Sequence, residues 1–501
     1  MAKQVSQVET AKQVQVSEAE DFASVLKQSF KPRTERAATE VENAVTTLVR
    51  EALRDQAVIK DNVIETIEEM VARIDQKLTA QMNEVLHAPE FQQIESAWRG
   101  LHYLVFNSET DANLKIRVMN VTKNELYRNL RLYPDAKWDQ SPLFKQIYES
   151  EFGQLGGQPF GCLIGDYSFS HAPTDVQLLR DLSRIASAAH APFFGAAHPN
   201  LLGMDSWNEL MNPRDIGKVF DTPEYAAWKG LRDQEDSRYV GLCMPRVLAR
   251  LPYGAKSEPV EEFAFEEDTD GHIGEKYSWM NAAYAMAANV NRAFKEWGWC
   301  VRIRGVQSGG EVINLPTHTF PTDDGGVDLK CPTEIAISDR REHELAKSGL
   351  IPIIHRKNTD KAAFIGAQSV YRPQKYFGPK GVEATASSNL SARLPYMFAV
   401  SRFAHYLKCM VRDKIGATKE KDELANWLQT WINEYVDPNP AISSEAQKAR
   451  KPLAEAKVEV FPNPENPGYY DARFYLRPHF QLEAMDIGLS LVSRLPAPAA
   501  A

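Results

Sequence analysis

The sequence predicts an α/β fold of mixed, α+β character, and three observations carry that expectation. From residue 114 onward, short apolar runs alternate with amphipathic stretches at strand, helix, strand spacing, the pattern of βαβ units around a buried sheet. Before that point the apolar residues recur every 3.6 positions with charges between them, which describes helices. From residue 456 onward the period drops to two, apolar and polar residues in strict alternation, which describes half-buried strands. The expected architecture is an N-terminal helical layer, a mixed-sheet α/β core, and C-terminal helices followed by a small sheet able to donate or accept a strand.

Taken in order, residues 1–16 are polar. Ser17-Glu18-Ala19-Glu20 then has the form of a capping box, in which hydroxyl and carboxylate each satisfy an orphaned N–H, so a helix starts there. Phe22, Val25, Leu26 and Phe30 share one face of it, and Pro32 ends it. Two more helical patterns follow (Val41, Val45, Leu48, Val49, Ala52, then Val63, Ile67, Met70, Val71, Ile74, Leu78, Met82) and run towards Trp98 and Tyr103. They are expected to cover a sheet. Strands are expected at 114–118, 160–165, 192–197, within 238–250, and at 299–303, 333–337 and 351–354. A second capping box, Thr174-Asp175-Val176-Gln177, precedes Leu178, Leu179, Leu182, Ile185 and Ala186 on a helix face. An alanine-rich helix spans 277–297 and another follows Asp339, while 254–274 and 305–326, rich in Gly, Pro, Asp and Glu, read as long surface loops.

A glycine- and serine-rich stretch after Tyr376 reads as a domain boundary, which gives an organisation of 1–60, 61–380 and 381–501. Helices are expected at 390–415 and 419–436, the second with Leu424, Leu428, Trp431, Ile432 and Tyr435 on one side. Three strands close the chain, at 457–461, 470–476 and 487–491, the first two joined through Asn463-Pro464-Glu465-Asn466-Pro467-Gly468. Three strands have two edges, and an open edge is a row of unpaired donors and acceptors that another chain can use. An assembly joint and a meander closed by the chain's own helices both fit this pattern.

Composition bounds the function. A chain of 501 residues suits roughly two to four domains. Its net charge of −9 argues against a phosphate-backbone binder, so nucleic acid is not expected as a partner. The five cysteines are scattered with no CxxC pair, as buried thiols of a reducing cytoplasm would be. The polar N-terminus lacks the apolar core of a signal peptide. Residues 185–204 carry no charged side chain but hold two prolines and two histidines, which suits a buried strand with its turns better than a membrane span.

Candidate chemistry fails at the first residue in each case. His343-Glu344-Leu345-Ala346-Lys347 starts like a zinc-protease helix but lacks the second histidine. Gly305, Gly309 and Gly310 have no Gly-Lys-Ser/Thr after them and read as a turn. Asp166, Ser168, Ser170 and His171 lie together without a nucleophile elbow. Cys331 has no histidine nearby in sequence to activate it. His102, His190, His198, His405 and His479 stand at separate, mostly apolar sites and read as core histidines. No catalytic, cofactor-binding or metal-ligating residue is predicted, and the alternative of a cytosolic α/β enzyme has no identifiable site.

Six strings are long enough to name a family: CLIGDYSFSHAPTD, AAHAPFFGAAHPNLLG, RYVGLCMPRVLARLPYG, KCPTEIAISDRREHELAKSGLIPI, LSARLPYMFAVSRFAHYLKCMVRDKIG and FYLRPHFQLE. Together they resemble the large sheath subunit of the bacterial type VI secretion system, the TssC/VipB family, over about residues 63–495. Ser308 interrupts a run that the family pattern would make glycine. The resemblance implies a non-enzymatic, cytoplasmic structural protein without cofactors. It would pair with a small sheath subunit of the TssB/VipA type and polymerise with neighbouring heterodimers around an inner tube of the Hcp type. The sheath stands on a membrane-anchored baseplate, contracts to expel tube and spike, and is recycled by an AAA+ ATPase of the ClpV type; no direct membrane insertion is implied. The runner-up is a cytosolic α/β enzyme with an unrecognised site, and a phage-like tail sheath protein working without a partner comes third. The resemblance further implies an inter-subunit sheet at Val458, Val460, Tyr470, Ala472, Phe474 and Leu476, joined by strand addition. It also implies an ATPase contact through Phe22, Val25, Leu26 and Phe30, and it points to a tube contact through Lys419, Glu420 and Glu423.

Overall fold

The computed structural model describes residues 63–481 except 213–214, 323, 379–380, 415–420 and 463–469, together with Thr39, Asn43 and Thr47. The helix expected over 17–30, most of the 41–52 pattern and the strand expected over 487–491 lie outside the described residues. The chain divides into two compact units. One comprises Met1–Gln92, Leu251–Asp270 and Glu275–Tyr277, and the other comprises Gln93–Arg250, Gly271–Gly274 and Ser278–Ala501.

In the first unit, α1 (Val63–Leu86) carries the periodic residues expected of it. Asn83 ties the 251–270 segment to this helix: its Nδ2 donates to the Glu266 carbonyl at 3.3 Å and its Oδ1 accepts from the Asp268 N–H at 2.8 Å. Met70 is buried on this helix, while Val71, Leu78 and Met82 are exposed among the described residues.

The second unit is built on strands. In chain order they are β1 (Leu163–Phe169), β2 (Phe193–Ala197), β3 (Val240–Met244), β4 (Val247–Leu248), β5 (Trp279–Met280), β6 (Glu311–Val312), β7 (Thr319–Pro321), β8 (Val327–Leu329), β9 (Ile351–His355), β10 (Ala362–Phe364), β11 (Leu453–Pro462) and β12 (Tyr470–Pro478). Six of them form one mixed sheet in the order β1-β2-β3-β9-β10-β6. The first four run parallel, and β10 pairs antiparallel with both β9 and β6.

Both faces of this sheet are covered, which is why β2 and β3 are apolar throughout rather than alternating. Phe193, Val240 and Leu242 face one core with Val176, Leu179 and Ile185 of α4 (Pro173–Ala188). Phe194, Cys243, Ile351 and Ile353 face a second core with α5 (Ala282–Trp297). The helix α2 (Pro89–Phe106) joins that second core through Tyr103 and Leu104. Gly100 permits it, because a Cβ there would stand 2.3 Å from the Tyr284 ring.

Several expectations move. The helix α4 begins at Pro173 with Ala172 as its cap and no side-chain bond, while Asp175 instead accepts from the Ser170 N–H and hydroxyl. A true capping box lies at Thr122 and Glu125, opening α3 (Lys123–Arg131). Residues 114–118 belong to no strand. Residues 299–303 form a turn, with Trp299 and Val301 in one core and Ile303 in another. Of 333–337 only Thr333 makes a bridge, to Val247. The loop at 305–326 contributes β6 to the main sheet and β7 to a hairpin with β8. The stretch read as a boundary contains a helix, Gly381–Ser391.

The C-terminal part follows with α6 (Leu394–Asp413), α7 (Lys421–Asn433) and α8 (Glu445–Arg450), then β11 and β12. No helix among the described residues is long and apolar enough to cross a membrane.

Candidate assembly interface

The terminal strands β11 and β12 form a two-stranded antiparallel sheet of their own. From Glu455 paired with Arg477 to Pro462 paired with Tyr470 the register is unbroken, and a bulge lies between Leu453 and Glu455. Alternation decides which face is buried. Val458 and Val460 are 9% and 5% exposed, and with Ala456, Phe474 and Leu476 they pack onto a third core made by Trp299, Phe403, Leu428 and Ile432. The opposite face is charged: Arg477 pairs with Glu455 at 3.1 Å, Lys457 with Glu459 at 2.7 Å, and Arg473 lies over the Phe461 ring at 5.3 Å. The Lys457 ammonium holds the Glu459 carboxyl below the usual carboxylate range.

The two edges differ. On β11, Gln429 of α7 stands in for a neighbouring strand: its Oε1 accepts from the Val458 N–H at 2.8 Å and its Nε2 donates to the Ala456 carbonyl at 3.1 Å. Leu453 is bonded on the same side, its N–H to the Tyr435 carbonyl and its carbonyl to the Asp437 N–H. These bonds fix which backbone groups face outward. In an antiparallel ladder, residues opposite each other either exchange both hydrogen bonds or turn both groups away. Since Val458 turns outward, its partner Phe474 does too, and so do Ala472 and Leu476 two residues either side. Among the described residues no other element bonds the backbone of Ala472, Phe474 or Leu476.

The interface residues expected from the sequence therefore occupy one parity of this hairpin. The side chains of Val458 and Val460 are spent on the chain's own core, Phe474 and Leu476 are half-buried against it, and Ala472 is exposed. Tyr470 begins β12 opposite Pro462. Of the expected tube contacts, Glu423 is exposed in the first turn of α7, and Lys419 and Glu420 lie outside the described residues. Phe22, Val25, Leu26 and Phe30 also lie outside them. Gln429 gave no sign in the sequence, because its role depends on bonds to residues 27 and 29 positions away.

The groups weighed for catalysis are dispersed by the fold. Asp166 bonds Asn281, Ser170 bonds Asp175, and the His171 Nδ1 meets the Asn200 carbonyl at 2.6 Å. His405 is buried with its Nε2 on the Ala189 carbonyl at 2.8 Å, and His190 meets the Tyr239 hydroxyl at 3.0 Å. His102 departs from expectation, being exposed and stacked on Phe106. The Cys331 Sγ lies 3.1 Å from the Thr333 hydroxyl, which itself donates to the Ile335 carbonyl at 2.9 Å. No cluster of three or more metal-ligating side chains occurs among the described residues.

Comparison with known proteins adds a further finding. Residues 68–371 match the family described as the EvpB/VC_A0108 tail sheath N-terminal domain, and residues 383–495 match its tail sheath gpW/gp25-like domain. A type VI secretion system sheath protein, TssC1 of Pseudomonas aeruginosa, is 61% identical over 485 residues, 97% of each chain. A chain of the anti-feeding prophage baseplate overlays with a TM-score of 0.37 at 11% identity, over 76% of this chain and 84% of that one, too loosely to bear on the fold.

Proposed function

The chain belongs to the TssC/VipB family of type VI secretion tail-sheath proteins, and we propose that it builds its sheath by lending the open edge of β12 to a strand from a neighbouring molecule. It is a subunit of a contractile sheath, a structural role. The observation that supports strand addition is the asymmetry of the terminal hairpin: Gln429 closes one edge, and the outward N–H and C=O groups of Ala472, Phe474 and Leu476 line the other.

About four added backbone hydrogen bonds at about 0.5–1.5 kcal/mol each contribute about 2–6 kcal/mol per joint. Such a joint holds by local main-chain pairing, so the bodies it links can turn while it stays closed. The donated strand comes from a small sheath subunit of the TssB/VipA type or from the next heterodimer. In the assembled organelle the sheath surrounds an Hcp-type tube on a baseplate in the cytoplasm, with residues 381–501 on its inner side. A ClpV-type ATPase takes the spent sheath apart through Phe22, Val25, Leu26 and Phe30. The work comes from a metastable polymer, and this chain needs no catalytic site of its own.

Two proline variants test the proposal. Ala472→Pro removes an outward N–H and no bond of the hairpin, so the fold should lose less than about 1 kcal/mol while sheath tubules disappear from electron micrographs of the co-expressed subunits. Arg473→Pro removes an inward N–H and should cost about 3 kcal/mol or more of stability. Normal tubules from the Ala472→Pro protein would overturn the reading.

A further inference from the structure

A pocket of about 330 Å³ is lined by the helix Ala226–Arg232 and by the end of the helix Asp339–Lys347. Trp228 and Arg232 stand one turn apart on the first of these, at i and i+4, so they share a face, and both line the pocket. Neither is a surface side chain: Trp228 is 0% exposed and Arg232 8%. The Arg232 guanidinium is fixed by two neutral acceptors. Its Nε donates to the Val370 carbonyl at 3.0 Å and its Nη2 to the carbonyl of Lys347, the last residue of the second helix, at 2.9 Å. Its Nη1 has no hydrogen-bond partner among the described residues, and neither has the buried Nε1 of Trp228. Buried donors are almost always bonded, so two on one wall of a pocket ask for an acceptor.

The charges around them leave two cations over. Each carboxylate lining the pocket is matched: Asp221 by Lys229 at 3.2 Å, Glu344 by Arg341 at 2.9 Å and Asp215 by Lys218 at 3.3 Å. Arg372, also on the wall, is held by Asp233 through two hydrogen bonds of 2.9 Å. Arg232 and the exposed Lys347 line the same pocket without an ion pair among the described residues. Burial, and then the charge of Arg372, lower the Arg232 guanidinium to about 10 against the pull of Asp233. The fold carries a cost at this charge that a bound anion would relieve.

We propose that this pocket is a binding site for a small phosphate monoester. Two unmatched cations call for a dianion, and a phosphoryl group brings about −1.5 to −2 charge at neutral pH with three strong acceptor oxygens. A carboxylate brings a single charge and two oxygens. The phosphoryl oxygens accept from Arg232 Nη1 and Trp228 Nε1, and the Lys347 ammonium supplies the second charge. The pocket's volume lies at the low end of the usual range for ligand sites, about 300–1,000 Å³, which suits a phosphoryl group with a small organic remainder. The buried Phe220 gives that remainder an apolar wall.

The test is isothermal titration of the full-length chain, with any partner it needs for solubility, by inorganic phosphate, glycerol 3-phosphate and acetate at matched ionic strength. Both phosphates should bind saturably, glycerol 3-phosphate the tighter, and acetate should not. Lys347→Ala alters an exposed side chain with no ion pair among the described residues, and it should weaken binding about tenfold without changing the melting temperature. Trp228→Phe keeps a ring and removes the N–H, and should weaken it about threefold or more. Absence of saturable binding by either phosphate, acetate binding as tightly as phosphate, or unchanged affinity in the folded Lys347→Ala protein would overturn the proposal.

Discussion

The central sheet and the terminal hairpin solve the problem of burying β-structure in opposite ways. Strands β2 and β3 are five residues each, wholly buried, and covered on both faces by helices. Strands β11 and β12 are ten and nine residues, apolar on one face only, and carry ion pairs on the other. Where both faces are covered, stability rests on side chains; where one face is covered, the backbone of an edge is left to be dealt with. The chain deals with one edge through a glutamine amide, and among the described residues no element bonds the outward backbone of the other.

The sharpest way to break the comparison is to remove a side chain from the doubly covered sheet. Phe194 is fully buried in β2, stacked on Phe398, and Phe194→Ala should cost about 3–5 kcal/mol in urea denaturation. A loss on that scale would be out of reach for any single side chain on the exposed face of the hairpin.

Acid probes what the two regions share. His405 lies on α6, whose residues Leu394 and Phe398 enter the sheet's second core and whose Phe403 and Leu407 enter the hairpin's core. Burial, and then the charges of Arg402, His190 and Lys408, push this imidazole down to about 4 against the pull of the Ala189 carbonyl. The folded state therefore binds the proton less readily than the unfolded chain, whose histidines titrate near 6.5. The stability involved is present above about pH 6.5 and is lost as pH falls towards about 4, up to about 3 kcal/mol. Thermal melts across that window should show sheet and hairpin weakening together, and His405→Asn should flatten the slope.

A smaller effect isolates the edge itself. Gln429→Leu keeps the volume on α7 but deprives the Val458 N–H and Ala456 carbonyl of partners, which should cost about 1–3 kcal/mol. It also opens a second edge, so off-pathway aggregation of the purified subunit should rise in light scattering.

Both regions were legible in the sequence to the extent that their pattern is local. The alternation of 457–461 and 470–476 and the apolar run at 192–197 correspond to β11, β12 and β2, because burial of one face or two writes itself directly into residue order. The misread segments are those whose partner is distant. Residues 299–303 alternate like a strand, yet their apolar residues divide between two cores across a turn. The two residues of β6 had no pattern to read, since β10 alone makes them a strand. The same distinction runs through the sites. The buried face of β12 follows from its alternation, whereas Gln429, whose bonds set which backbone groups of the hairpin face outward, is brought in by folding.

The most direct test is amide hydrogen exchange at single-residue resolution along β12, before and after assembly. In the unassembled subunit the N–H groups of Ala472, Phe474 and Leu476 should exchange rapidly while those of Arg473 and Tyr475 are protected, and in the polymer all five should be protected. Slow exchange at Ala472, Phe474 and Leu476 before assembly, or fast exchange after it, would contradict strand addition as the sheath's joint.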